Sequence, residues 1–244
     1  IFAEWIDTWC ADADGTEVAA LVSTKSALVT ISDDWTGFGQ RLTGSGTAVF
    51  AQAPVDEANV YGWADRFPFQ TALYQLILVA VSAGIARAAV NEAVLQVQTR
   101  ARTFSHGNTN QVRNDPQILE SIGRLSATAT SAEALTVHAA EALQQSADAR
   151  GASDAIVNER KQRGEILSAE AQIVATRVSL DASTYLFEGL GASATDTKYL
   201  LDRHWRNART VATHNPVPFK ARIVGDWLVN DVEPPYEWAI GAAK

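Results

Sequence analysis

LLDRHWRNARTVATHNP, residues 200–216, holds the densest polar chemistry in this chain of 244 residues and follows a long alanine-rich run. Leu201, Trp205, Ala208 and Ala212 recur at helical spacing and predict one apolar face. Arg203, Asn207, Thr210 and His214 make a polar face, and Asp202 and Arg206 form an i,i+4 pair on its flank. Pro216 closes the helix, because the residue before a proline leaves the α region. A helix that ends on His214 and Asn215 can aim a histidine into a cavity. The simplest reading is an amphipathic surface helix with solvated arginines.

Working outward, the sequence upstream predicts three more long helices. Thr71 to about Phe104 is the first, with Leu73, Ile77, Val81, Ile85, Ala88 and Val97 expected along one stripe. Its apolar run, Leu76 to Ala86, falls short of the ~20 residues a membrane span needs. Asp115-Pro116 starts the second, with Asp at the N-cap and Pro at the first helical position. Ile118, Ile122, Leu125, Ala129, Ala132 and Leu135 continue it to about Ala149. The third is expected from about Asp154 to Phe187, ended by Gly189-Leu-Gly191. Three long helices plus the one at Leu200 suggest an antiparallel bundle. Val217 to Asn230 reads as a further short helix, and Pro234 to Trp238 as an irregular tail.

The first 60 residues have a different character. Thr16–Val22, Ala27–Ile31 and Thr47–Phe50 read as short strands, with Ala11-Asp-Ala-Asp-Gly15 as a hairpin turn. The fold class expected is therefore mainly α, a four-helix bundle preceded by part of a β-barrel or sheet domain. The domains are placed at residues 1–62 and 63–244. There is no methionine, and the chain opens on Ile1 inside what reads as a strand, so a fragment of a longer protein is expected.

A net charge of −8 argues against a general binder of nucleic acid or anionic membrane. One cysteine, Cys10, excludes an intrachain disulfide framework. No basic segment precedes an apolar one near the start, so a cytoplasmic location is expected. His106, His138 and His204 lack ligand-like spacing, and no metal site is expected. Arg100 and Arg102 end the first long helix, where arginine forks suit a phosphate or merely offset the helix dipole. Trp35 lies in a glycine-rich loop and could wall a pocket for a planar ligand or pack in a core. His214 could donate a proton near neutral pH.

Three stretches together carry a resemblance. They are Asp34-Trp-Thr-Gly-Phe-Gly-Gln-Arg-Leu-Thr-Gly-Ser-Gly46, Leu186-Phe-Glu-Gly-Leu-Gly-Ala-Ser-Ala-Thr195, and Leu201–Arg209 with His214-Asn-Pro216. The chain resembles the acyl-CoA dehydrogenase superfamily, in its flavin-dependent monooxygenase branch of the dibenzothiophene and sulfur-acquisition type. The resemblance implies a C-terminal four-helix bundle and a middle β-domain with flavin between them. It implies a neighbouring subunit completing the flavin phosphate site, and a homotetramer. Reduced FMN, with FAD as the alternative, would be delivered by a separate flavin reductase and react with molecular oxygen to a C4a-hydroperoxide. That species would oxygenate a small organosulfur or related compound. In this reading His214 hydrogen-bonds the peroxide or donates a proton, Arg102 holds the phosphate, Trp35 lines the pocket, and Arg100 and Asn215 join the cofactor-binding set. A second histidine is expected one turn before His214, where this sequence has Val211. The alternative within the superfamily is an FAD oxidoreductase acting on an acyl thioester. That chemistry needs a carboxylate base, and Val211-Ala-Thr-His-Asn215 offers none. A non-catalytic helical scaffold is the third reading.

Overall fold

Alanine decides how the helices pack. Ala72, Ala83, Ala86, Ala89 and Ala93 line the buried side of a helix from Gln70 to Thr99 (α1). Side chains this small let neighbouring helices approach closely, and Leu76, Val79, Val90 and Val97 fill the space between them. This corrects the expected stripe in part: Val97 is buried and Leu73 packs against the core, but the middle of the stripe faces out. Ile77 is 54% and Val81 37% exposed. α1 is apolar on nearly every side, so periodicity alone cannot choose its inner face.

The computed structural model describes residues 2–62 and 65–237 and divides into two compact units, Ile1–Phe67 and Pro68–Lys244. Ile1, Trp63 and Trp238, which the sequence reading placed in a strand, at the domain start and in the tail, lie outside the described residues.

In the helical unit, α1 is followed by α2 (Pro116–Asp148), α3 (Asp154–Tyr185), α4 (Asp202–His214) and α5 (Val217–Asn230). The Asp115 carboxylate accepts from the Gln117 N–H at 3.0 Å and caps α2. Specific pairs fix the directions. Gln145 meets Arg160 and Leu143 meets Gly164, so α2 and α3 run antiparallel. Glu92 meets His204 and Gln75 meets Asn215, so α1 and α4 do too. Ala72 meets Glu165 and Arg100 meets Leu190, so α1 and α3 share a direction. The result is an up-down-up-down bundle. Arg87 clamps α1 to α2 through Glu133, at 2.8 and 2.7 Å, and Thr130. Ser179 and Ser183 sit in the middle of the packed face of α3 and satisfy their hydroxyls on carbonyls of their own helix. After α5 the chain returns across the unit. The Thr71 hydroxyl donates to the Tyr236 carbonyl at 2.7 Å, and Lys161 lies 3.5 Å over the Tyr236 ring.

In the other unit, β1 (Trp5–Ala11) and β2 (Glu17–Ser23) form the expected hairpin, with Cys10 opposite Val18. Asp12 Oδ1 closes its turn by accepting from the Asp14 and Thr16 N–H groups, both at 2.9 Å, and Gly15 takes a φ of +83°. β3 (Val29–Ile31) and β4 (Ala48–Phe50) make a separate antiparallel pair. β5 (Val60–Gly62) pairs with β2, giving the order β1-β2-β5.

Candidate active site

α4 and α5 are separated by only Asn215 and Pro216. Proline ends the first helix and, with its fixed φ, opens the next. His214 is exposed at the end of α4. Asn215 is gripped from two sides. Its carbonyl accepts from Nε2 of Gln172 on α3 at 2.9 Å, and its side-chain nitrogen donates to Oε1 of Gln75 on α1 at 2.9 Å. Both glutamines are buried.

The same end of the bundle holds a buried charged pair, Glu165 and Lys220. Glu165, Ser168 and Gln172 fall at i, i+3 and i+7 on one face of α3. The Ala72 N–H in the first turn of α1, one of the orphan donors at a helix start, faces Glu165, whose Oε1 is buried without a hydrogen-bond partner. Burial pushes its carboxyl up to about 7, held back by the charge of Lys220. Burial likewise draws the Lys220 ammonium down to about 8, against the pull of Glu165.

Arg100 and Arg102 lie at the opposite end. α1 stops at Thr99, five residues before the expected end, so neither arginine is helical. Arg100 donates to the Leu190 carbonyl and stacks 5.0 Å over the Phe104 ring. It therefore pins the loop after α3, whereas Arg102 is exposed. A cleft of about 400 Å³ beside this loop is lined by Phe104, His106, Asp115, Ile118 and Glu188, among others. From Gln75 to Arg100 the rise of α1 is roughly 38 Å. One bundle therefore does not bring His214 and these arginines together. Gly191 takes a φ of +69°, and a Cβ there would sit 3.0 Å from Phe104 Cζ and 3.3 Å from Arg100 Nη2. Gly191→Ala is expected to destabilise the fold by about 1–2 kcal/mol, read from chemical denaturation.

Trp35, in the strand unit, folds over its own loop. Its Nε1 donates to the Gly39 carbonyl at 2.9 Å, and a Cβ on Gly37 would lie 2.1 Å from its ring. The Asp34 carboxylate accepts from the Thr47 N–H and hydroxyl, both at 2.8 Å. These bonds hold its pKa below the ordinary carboxylate value. At Gly46 a Cβ would meet the Ser32 carbonyl at 1.9 Å, so only glycine lets the two loop arms approach.

α4 is oriented by a group the sequence reading missed. Glu92 on α1 accepts from Arg203 and lies 3.0 Å from Nε2 of His204. His204 is 5% exposed, whereas Trp205, expected to anchor the helix, is 41% exposed. The buried face is Leu201, His204, Ala208 and Val211–Ala212, shifted round the helix from the expected one. Arg203 is therefore paired and not simply solvated. Asp202 and Arg206 make the expected flank pair at 3.0 Å. Burial raises the Glu92 pKa, but the hydrogen bonds from Arg203 and His204 outweigh it and leave it below the ordinary value of 4.5. A depressed carboxylate contributes stability above its unfolded pKa and loses it as pH falls through its folded pKa. Glu92→Ala is expected to lower stability by about 2 kcal/mol at neutral pH, after discounting for partial exposure. The gap from wild type should close below pH ~4 in urea titrations.

Gln75 was legible only as the polar residue that precedes the apolar run Leu76 to Ala86. Gln172, Glu165 and Lys220 carried no comparable signal, since their partners come from other helices.

Known proteins bear on this arrangement. The family described as acyl-CoA dehydrogenase, C-terminal domain, matches residues 76–218. Dibenzothiophene monooxygenase of Mycolicibacterium goodii is 32% identical, covering 90% of this chain and 55% of that protein. A probable FMNH2-dependent monooxygenase, SfnC of Pseudomonas putida, is 30% identical, covering 89% of this chain and 55% of that protein. Among solved structures, methanesulfinate monooxygenase MsuC from Pseudomonas fluorescens superposes with a TM-score of 0.85 at 28% identity, covering 96% of this chain and 61% of that one. The chain thus spans about half the length of the curated relatives it matches.

Proposed function

This chain belongs to the acyl-CoA dehydrogenase C-terminal domain family, and on that premise we propose that the protein is a reduced-flavin-dependent monooxygenase acting on a small organosulfur compound. The observation that carries the reading is the turn between α4 and α5. It presents an exposed imidazole, His214, with an amide beside it and no carboxylate from Val211 to Asn215. An acyl-thioester dehydrogenase needs a carboxylate base within reach of its substrate. The buried carboxylate at this end of the bundle, Glu165, lies on α3, outside this turn, and is 5% exposed. The relatives support the oxygenase reading. One is named for dibenzothiophene, one for methanesulfinate and one for FMNH2.

The residues present fit a flavin mononucleotide by their chemistry. Arg102 offers an exposed guanidinium fork for a phosphate, and His214 an exposed imidazole for the reacting end. Reduced flavin, supplied by a separate reductase, activates molecular oxygen for transfer to a soft heteroatom. His214 hydrogen-bonds the reacting oxygen, and Asn215 is a cofactor neighbour. Trp35 is assigned as an aromatic wall for a planar ligand, offered by the loop around it. Arg102 and His214 lie too far apart along one bundle to hold one flavin. That separation supports a homo-oligomer, proposed as a tetramer, in which Arg102 serves a flavin held by another copy. A cytoplasmic location completes the proposal.

Full-length protein with a flavin reductase, NADH and FMN should consume oxygen in step with the loss of an added thiophene, sulfide or sulfinate. Bleaching of bound FAD by an acyl-CoA, with no oxygen-coupled loss of any sulfur compound, would replace this reading with the dehydrogenase one.

A further inference from the structure

The contacts of Asn215 decide which nitrogen of His214 carries its proton. An amide nitrogen has two hydrogens and accepts nothing. One hydrogen of Asn215 Nδ2 goes to Gln75 Oε1 at 2.9 Å. The other faces His214 Nδ1 at 3.2 Å. Nδ1 must then be the acceptor, and in the neutral ring the proton sits on Nε2. Asn215 could offer its oxygen to His214 and keep Gln75 only if the Gln75 amide turned over with it. The Asn215 backbone is fixed as well, by Gln172 on its carbonyl at 2.9 Å. Both glutamines are more than nine-tenths buried, so solvent does not compete at their ends of these bonds, while the Asn215–His214 contact itself is exposed.

We propose that Gln75 and Asn215 are positioning residues that hold His214 as its Nε2–H tautomer, so that it presents a fixed, uncharged hydrogen-bond donor at the end of α4. The proposal rests on the reading of His214 as the residue facing the reacting oxygen, and it specifies the atom and the role. In the neutral ring the Nδ1 lone pair takes the Asn215 amide, and Nε2–H is left to stabilise developing charge on oxygen. Gln75, buried and hydrogen-bonded to Asn215, acts through Asn215. It gives a role to the buried polar side chain just before the apolar run of α1.

The test is long-range ¹H–¹⁵N correlation of the imidazoles in full-length protein, without flavin, at a pH where the histidines are neutral. The four histidines are assigned by single substitution. His214 should show one tautomer, protonated at Nε2. Asn215→Asp replaces the amide donor by an acceptor and should reverse it to Nδ1–H. Asn215→Ala should leave an average of both. Gln75→Leu should shift the population the same way as Asn215→Ala, and Gln75→Glu, which keeps the acceptor, should restore it. If Asn215→Asp does not fold, Gln75→Leu against Gln75→Glu decides the point. In turnover, the tautomer reversal should lower oxygen transfer on the order of 100-fold. His214 found as Nδ1–H, or a tautomer unmoved by these changes, would overturn the proposal. A protein that shows the tautomer pattern but transfers no oxygen to any substrate would instead overturn the functional reading beneath it.

Discussion

His214→Ala in the full-length protein is expected to lower the rate of oxygen transfer by roughly 100- to 1,000-fold, the loss typical of removing one preorganised donor from a reacting oxygen. Folding should be unaffected, because the side chain is exposed and, among the described residues, its hydrogen bond is to its neighbour Asn215. The expected signature is uncoupling. NADH and oxygen are still consumed, but the equivalents appear as hydrogen peroxide in place of oxygenated product. His214→Gln, which returns an N–H near the same place, should recover part of the loss. Product measured by mass spectrometry, with peroxide assayed in parallel, checks both. Unchanged product formation in His214→Ala would remove this residue from the chemistry.

Lys220→Ala is expected to destabilise the helical unit by about 3 kcal/mol or more, the largest stability effect foreseen for a single polar residue here. Lys220 is 4% exposed, and removing it leaves Glu165 buried with less compensation for its charge. Glu165→Leu with Lys220→Met, which replaces both charges by apolar groups, should be close to neutral. The pair also gives the protein a definite pH response. Glu165 titrates at about 7 in the fold against an ordinary 4.5. A raised carboxyl contributes stability that is full below its unfolded pKa and is lost as pH rises through its folded one. Lys220 titrates at about 8 against an ordinary 10.5. A depressed ammonium contributes stability that is full above its unfolded pKa and is lost as pH falls through its folded one. The two contributions are therefore smallest between about 7 and 8, where both groups are charged. Urea midpoints should show wild type gaining on the double variant as pH moves out of that window in either direction. A pH-independent difference would contradict the assignment.

Local chemistry was the legible part of this fold. Asp115-Pro116 announced the start of α2, the Asp12–Gly15 turn announced the β1–β2 hairpin, and Pro216 announced the break beside His214. These signals act within a few residues of themselves. What the sequence misplaced was the choice of face. α1 is apolar around its circumference, so Ile77 and Val81 read as core where the smaller alanines in fact let the helices close. In α4 the large Trp205 drew the apolar face toward itself, whereas Glu92 turned the helix to bury His204. The supports of the candidate site were hidden for a related reason. Gln172 lies 43 residues and Gln75 140 residues from Asn215. Pairings at that range follow from the bundle's topology and leave no periodic trace.

The central claim is oxygen-atom transfer, and isotope incorporation tests it most directly. Full-length protein should be supplied with a flavin reductase, NADH, FMN and ¹⁸O₂, and given dibenzothiophene, a dialkyl sulfide or methanesulfinate. The account predicts one ¹⁸O atom per oxygenation step in the product, dependent on both the reductase and His214. An organosulfur substrate recovered without ¹⁸O, while an acyl-CoA is converted to its enoyl form by the same protein, would contradict it.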